Sequence, residues 1–183
     1  MDEDNRRFKM IKIVLTGPES SGKSTLAQQL ATYYGAPCLS EYSRDFLEQL
    51  ERPYVEEDLI DIAGGQLAQE QAMAINKPAL FFCDTSLLVM RVWGLYKYGR
   101  SDDQIKEMLV QSRPDLFLLC YPDLPWEPDP LREHASIEDR AALFQLYHQE
   151  VQAFQFPYVI ISGQGAGRLE MAIKAVESKW ELK

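Results

Sequence analysis

Cysteine, histidine and basic charge are all scarce in this chain, and each shortage excludes something. Its 183 residues include three cysteines and two histidines. Cys38, Cys83 and Cys120 lie far apart, and His134 and His148 are remote from all three, so the ligand spacing of a zinc knuckle is missing. Cys83 and Cys120 end the apolar runs Ala79–Cys83 and Leu116–Cys120, where cysteine acts as a small hydrophobe. Core thiols in a reducing, cytoplasmic setting are the expectation. Nineteen Lys and Arg stand against 28 Asp and Glu, a net charge of −9, which argues against a nucleic-acid partner. No window approaches the roughly 18 apolar residues of a membrane span, so no membrane partner is expected. Met1–Lys9 is charged and lacks the apolar run of a secretory leader.

What remains is the composition of a soluble globular domain, 46% hydrophobic and 26% charged. A chain of this length buries roughly 70% of its unfolded surface, enough for one core without disulfides. A single domain over 1–183 is expected. Apolar, β-branched runs alternate with helical periodicity. Strands are expected at Met10–Leu15, Ala36–Ser40, Pro78–Cys83, Asp115–Cys120 and Pro157–Ser162. Helices are expected at Lys23–Tyr34, Asp58–Ile75, Leu87–Tyr98, Ser101–Val110 with Ser101 as N-cap, Leu143–Phe154 and Arg168–Trp180. Five strands separated by helices imply a three-layer α/β fold with a parallel sheet and ligands at the carboxyl ends of its strands. Tyr121–Arg140, with four prolines (Pro122, Pro125, Pro128, Pro130) and dense charge, has the composition of a lid.

Gly17-Pro18-Glu19-Ser20-Ser21-Gly22-Lys23-Ser24 fits G-x-x-x-x-G-K-[ST] and joins the first strand to an amphipathic helix, the context that motif requires. Gly17 and Gly22 allow the curl that turns successive N–H groups toward phosphate oxygens. The following helix adds its positive end. Lys23 brings a full charge to the β- and γ-phosphates, and the Ser24 hydroxyl can ligate Mg²⁺. The cofactor segment is thus Gly17 to Thr25, holding ATP. Phe81-Phe82-Cys83-Asp84 ends a strand in a carboxylate suited to organising the metal, so Ser24 and Asp84 are the metal candidates.

Two guanine-switch look-alikes fail on context. Asn76-Lys77-Pro78-Ala79 lacks the required Asp, and Asp61-Ile62-Ala63-Gly64 sits inside a helix. Thr85-Ser86 follow Asp84 where a hydrolytic ATPase needs a Glu to activate water. The pattern therefore points to phosphoryl transfer rather than hydrolysis. Glu41-Tyr42-Ser43-Arg44-Asp45, after the second strand, supplies a carboxylate able to accept a hydroxyl proton. Arg44 can hold a phosphate or pair with Asp45. Arg132 and Arg140, from the lid, can neutralise charge on the γ-phosphate. Tyr42, Trp93, Tyr98 and Trp126 are candidate aromatic faces for a base. Gly163–Gly167 is placed to pass the adenine, with Arg168 stacking on it.

Taken together, GPESSGKST at Gly17–Thr25, EYSRD at Glu41–Asp45, Asp84-Thr85, Trp93, Tyr98-Gly99, Pro125-Trp126 and Leu131-Arg132 resemble the ribosylnicotinamide kinase domain of the NadR family. The likeness runs from about Ile11 to the last helix. The resemblance implies a nucleoside-kinase-like P-loop fold and a small-molecule nucleoside acceptor. It further implies transfer of the ATP γ-phosphate to the 5′-hydroxyl of nicotinamide riboside. It places Lys23 and Ser24 on phosphate and metal, Arg132 and Arg140 in the lid, and Glu41 or Asp84 on the acceptor hydroxyls. One departure is Ser86, where the family often carries a second acid after Asp-Thr. Neither a helix-turn-helix nor an H-x-G-H adenylyltransferase motif is present in the sequence.

Overall fold

A computed structural model describes residues 10–181. The charged stretch Met1–Lys9 lies outside the described residues. The element order is β1 (Ile11–Thr16), α1 (Lys23–Tyr34), β2 (Cys38–Leu39), α2 (Tyr42–Glu48), α3 (Asp58–Ile75) and β3 (Leu80–Asp84). There follow α4 (Leu87–Tyr98), α5 (Asp103–Gln111), β4 (Leu116–Cys120), α6 (Ile137–Ala153), β5 (Tyr158–Ile161) and α7 (Gly165–Glu177). All strand pairs are parallel, in the order β2-β3-β1-β4-β5.

The three central strands are buried along their whole length, which is why apolar residues dominate them; Lys12 interrupts β1, and Thr16 and Asp84 end β1 and β3. Side chains of β1 alternate between two cores. Val14 joins the layer formed by α3, α4, α5 and α6, while Ile11, Ile13 and Leu15 join the layer under α1 and α7. Because β1 is central, the loop leaving its carboxyl end emerges in the middle of the sheet's upper edge. The two neighbouring strands, β3 and β4, end on either side of it.

Several boundaries differ from the sequence expectation: β2 shortens to Cys38–Leu39, and α7 starts at Gly165 rather than Arg168, so Gly165–Gly167 of the expected loop are helical. Helix α5 is capped by Asp102, whose carboxylate accepts from Gln104 N–H at 2.7 Å, rather than by Ser101. Helix α6 begins at Ile137 instead of Leu143, with Ser136 Oγ accepting from Asp139 N–H at 2.9 Å. Glu138 and Asp139 favour its N-terminal dipole, so this part of the charge in Tyr121–Arg140 belongs to a helix start and not to a lid. The lid therefore ends near Ser136, and Arg140 lies on a helix. Helix α2, which carries little apolar periodicity, is absent from the sequence expectation; it packs on α3, with the Tyr42 ring at Gly65.

Candidate active site

The Gly17–Ser24 loop wraps the space above β1. Gly17 has φ 134° against the end of β4, where a Cβ would lie 2.5 Å from the Cys120 carbonyl oxygen. Gly22, at φ 74°, is the N-cap of α1 and provides no side chain to satisfy the first-turn N–H groups, leaving them available to an anion. The loop is held from beneath. Ser21 is buried and donates to the Pro18 carbonyl at 2.7 Å, so its hydroxyl shapes the loop. Arg168 donates to the Ser21 carbonyl at 2.7 Å, to Asp123 at 2.8 Å and to the Gly163 carbonyl at 2.8 Å. It is only 4% exposed. Its guanidinium thus clamps α7 to the loop, in place of the freely stacking group expected from sequence. Lys23 Nζ donates to the Pro18 carbonyl at 2.8 Å, folded over the loop it serves.

The lid closes on the same loop. Glu19 accepts the N–H groups of Glu133 at 3.2 Å and His134 at 2.9 Å. Ser20 Oγ accepts from Arg132 Nη1 at 3.1 Å and from Glu127 N–H at 3.2 Å. Glu19 and Ser20, two of the motif's four variable positions, are therefore lid docks. Arg132 lines the cavity beneath, whereas Arg140 does not. Arg140 is buried, donates to the Leu124 carbonyl at 3.0 Å and lies 5.8 Å from the Trp126 ring centroid, with Arg132 5.9 Å from the same ring. This corrects its expected position over the γ-phosphate: α6 carries Arg140 into a supporting place behind Trp126.

Between loop, lid and helices lies a cavity of about 390 Å³, within the range of small-molecule sites. Lys23, Ser24 and Thr25 line it on one side; Glu41, Arg44 and Trp93 line it on another. Glu41 accepts from the Ser43 hydroxyl at 2.8 Å. Burial raises its carboxyl above the usual range, Lys23 opposes that rise, and Asp84 adds to it. Arg44 donates to Asp129 of the lid at 2.8 Å, not to Asp45, and its other nitrogen lies 3.5 Å from Glu48. Tyr42, expected at the substrate, does not line the cavity: its ring packs on Gly65 of α3. Trp93 lines the cavity and stacks on Tyr54 with centroids 5.6 Å apart. Of the other aromatic candidates, Tyr98 packs against the core of α3 to α6.

Asp84 ends β3 and is buried, and its Oδ1 has no hydrogen-bond partner among the described residues. Thr16 Oγ1, at the end of the neighbouring strand, is in the same condition. Such orphaned oxygens fit a solvated cation better than a closed core. No group of three or more His, Cys, Asp or Glu forms a metal cage among the described residues. A Mg²⁺ ion sharing its shell with water and phosphate needs few protein ligands, and Ser24, which lines the cavity, and Asp84, which is not among its lining residues, are the side chains here that could supply them.

Sequence reasoning missed Leu143 and Tyr147 of α6, which line the cavity but sit in an ordinary apolar stripe. Tyr147 is 2% exposed, and burial, then the charges of Glu41 and Glu19, push its hydroxyl well above the ordinary phenol value. Leu124 and Leu131 of the lid were equally silent.

A family model described as "AAA domain" matches residues 12–168. The chain is 29% identical over 145 residues to the trifunctional NAD biosynthesis/regulator protein NadR of Salmonella typhimurium; the match covers 76% of this chain and 35% of that protein. A crystal structure of NadR protein in complex with NR superposes with a TM-score of 0.74 at 22% identity, covering 95% of this chain and 52% of the other. A second, in complex with NAD and AMP-PNP, gives 0.72 at 24% identity, covering 92% and 49%. The chain thus spans about a third of the curated relative's length and about half of each structural neighbour.

Proposed function

Since the chain belongs to the AAA-domain family of P-loop proteins, we propose that it is an ATP-dependent kinase of a small nucleoside. The acceptor is nicotinamide riboside, phosphorylated on its 5′-hydroxyl to give nicotinamide mononucleotide for NAD biosynthesis. The observation that carries this reading is one cavity lined both by Lys23 with the phosphate loop and by Glu41. The likeness to the NadR relatives supports the choice of acceptor. A net charge of −9 disfavours a nucleic-acid partner, and no helix among the described residues is long and apolar enough to cross a membrane.

In the reaction, the 5′-oxygen of the acceptor forms a bond to the γ-phosphorus as the bond from that phosphorus to the β–γ bridging oxygen breaks, releasing ADP. The hydroxyl proton passes to the Glu41 carboxylate. Burial that raises the affinity of Glu41 for a proton makes it a stronger base than an exposed Glu, provided that it starts ionised. Lys23 and the N–H groups of Gly17–Ser24 hold the transferred oxygens, and Arg132, a lid residue tied to the phosphate loop through Ser20, neutralises their growing charge. Ser24 and Asp84 would hold a Mg²⁺ ion, which when bound would supply neutralisation of phosphate charge. Trp93 offers its free face to a flat cationic ring, and Arg44 ties the acceptor side to the lid through Asp129.

The test is incubation with ATP, Mg²⁺ and a panel of nucleosides, following ADP and phosphorylated product by mass spectrometry. Nicotinamide mononucleotide should form, and Lys23→Ala should abolish it with the melting transition intact. ADP release without a phosphorylated nucleoside would sink the kinase reading. Transfer to thymidine or cytidine alone would change the acceptor.

A further inference from the structure

The hydrogen bond from Ser43 to Glu41 is local, spanning two residues, and cannot by itself fix the carboxylate relative to the sheet. What does so acts through the next residue. Tyr42 is held twice by α3. Its N–H donates to Gln66 Oε1 at 3.2 Å, and its ring lies on the bare backbone of Gly65, where an added Cβ would come 2.0 Å from Cε1. Two consecutive residues of α3 therefore seat the first turn of α2 by side chain and by main chain at once.

The Gln66 amide is itself oriented. Gln66 is 3% exposed, and its Nε2 donates to Glu70 Oε1 at 3.3 Å. Glu70, 4% exposed, receives the Lys12 ammonium and the Ser112 hydroxyl on its other oxygen. Lys12 donates in addition to the Ser112 carbonyl at 2.7 Å. A carboxylate only accepts, so Gln66 must turn its NH₂ toward Glu70, which leaves its carbonyl for the Tyr42 N–H. The buried charge pair beneath the sheet thus decides which end of the amide meets α2.

We infer that Gln66 is a positioning residue for phosphoryl transfer, which with Gly65 docks Tyr42 on α3 so that Glu41 faces the cavity, its amide polarity set by the Lys12–Glu70 pair. The inference rests on the role of Glu41 proposed above. It also explains why Tyr42 sits in the EYSRD segment without touching the cavity.

Gln66→Leu keeps the volume and removes the acceptor. It should lower kcat about tenfold, the scale of a carboxylate displaced by a fraction of an ångström, and leave the KM for ATP within about twofold. Hydrogen–deuterium exchange over residues 41–44 should quicken. The decisive reading is a double-mutant cycle with Glu41→Gln, assayed with ATP, Mg²⁺ and nicotinamide riboside. Combining the two substitutions should cost no more turnover than Glu41→Gln alone, because Gln66 acts through Glu41. Gly65→Ala, which pushes the Tyr42 ring away, should repeat the pattern and carries the test if Gln66→Leu does not melt cooperatively. Additive losses, or unchanged kcat and exchange in both α3 variants, would overturn the positioning role alone. Full turnover in Glu41→Gln would overturn the reading of the site, and the positioning role with it.

Discussion

Replacing Glu41 by Gln isolates one property of the site, because the side chain keeps its length and its Oε1 can still accept from the Ser43 hydroxyl at 2.8 Å. Only the charge and the basicity go. Loss of a general base costs about 10²–10⁴ in turnover, or about 2.7–5.4 kcal/mol at 1.36 kcal/mol per tenfold. The KM for ATP should move far less, since the phosphates are held by Lys23 and the loop. The same substitution has a second, opposite consequence. Burial raises the Glu41 carboxyl in the folded protein above its ordinary value. From the unfolded value of about 4.3 up to the folded one, the folded state binds more protons than the unfolded state. Stability therefore falls as pH rises through that window, and above it the whole penalty persists. Gln never bears it. Glu41→Gln should melt at a higher temperature than the parent at pH 7 without nucleotide, and the gap should close as pH drops below about 4. The parent's kcat/KM should climb with pH across the raised carboxyl value, and the variant's should be flat there. Thermal melts from pH 3.5 to 8, paired with initial rates, measure all of this. Equal melting at pH 7, or a KM for ATP that rises as far as kcat falls, would refute the argument.

Three further outcomes test other parts of the structure. Lys12→Met leaves Glu70 charged in a site where both side chains are under a tenth exposed, and should cost about 3–5 kcal/mol, a Tm fall of about 6–20 °C for a domain of this size. Lys12→Met with Glu70→Leu should recover much of that; a fall under about 2 °C in the single variant would mean that the pair is solvated. Gly17→Ala forces a Cβ to 2.5 Å from the Cys120 carbonyl, so a fluorescent ATP analogue should bind at least about tenfold more weakly, and unchanged binding would contradict the loop's packing. Asp129→Asn breaks the tie to Arg44, whose side chain is 42% exposed, so Tm should stay within about 2 °C while trypsin cuts the 121–136 segment faster. The Leu131 N–H and then the Arg44 guanidinium hold the Asp129 carboxyl below the usual range, so the tie persists as pH falls and is lost only on passing through that lowered value. In the parent, protection from proteolysis at pH 5 should equal that at pH 7.

The sequence by itself determined the α/β alternation, the place of the phosphate loop and the carboxylate that ends β3. Each is written in local chemistry: a continuous apolar run for a strand covered on both faces, glycines where φ must be positive, and a Lys-Ser pair at a helix start. Helices α1, α3 and α4 end where the periodicity ends for the same reason. Tertiary structure decided what the charged and aromatic groups do, since spacing along a chain does not fix which partner a long side chain meets. Arg140 has the chemistry of a phosphate ligand and Arg168 that of a group stacking on adenine, yet bonds to the Leu124 carbonyl and to the Ser21 carbonyl respectively make them supports, with Arg168 also at the cavity wall. Glu19 and Ser20 lie inside the motif and hold the lid. Leu143 and Tyr147 look like core and line the cavity, because α6 passes over the site on the face that it buries. Tyr42 is a ligand candidate by its place beside Glu41, but α3, which comes more than a dozen residues later, holds its ring on Gly65 away from the cavity. Charges find their partners across the fold, and only the packing of the helices on the sheet says which are near enough to pair.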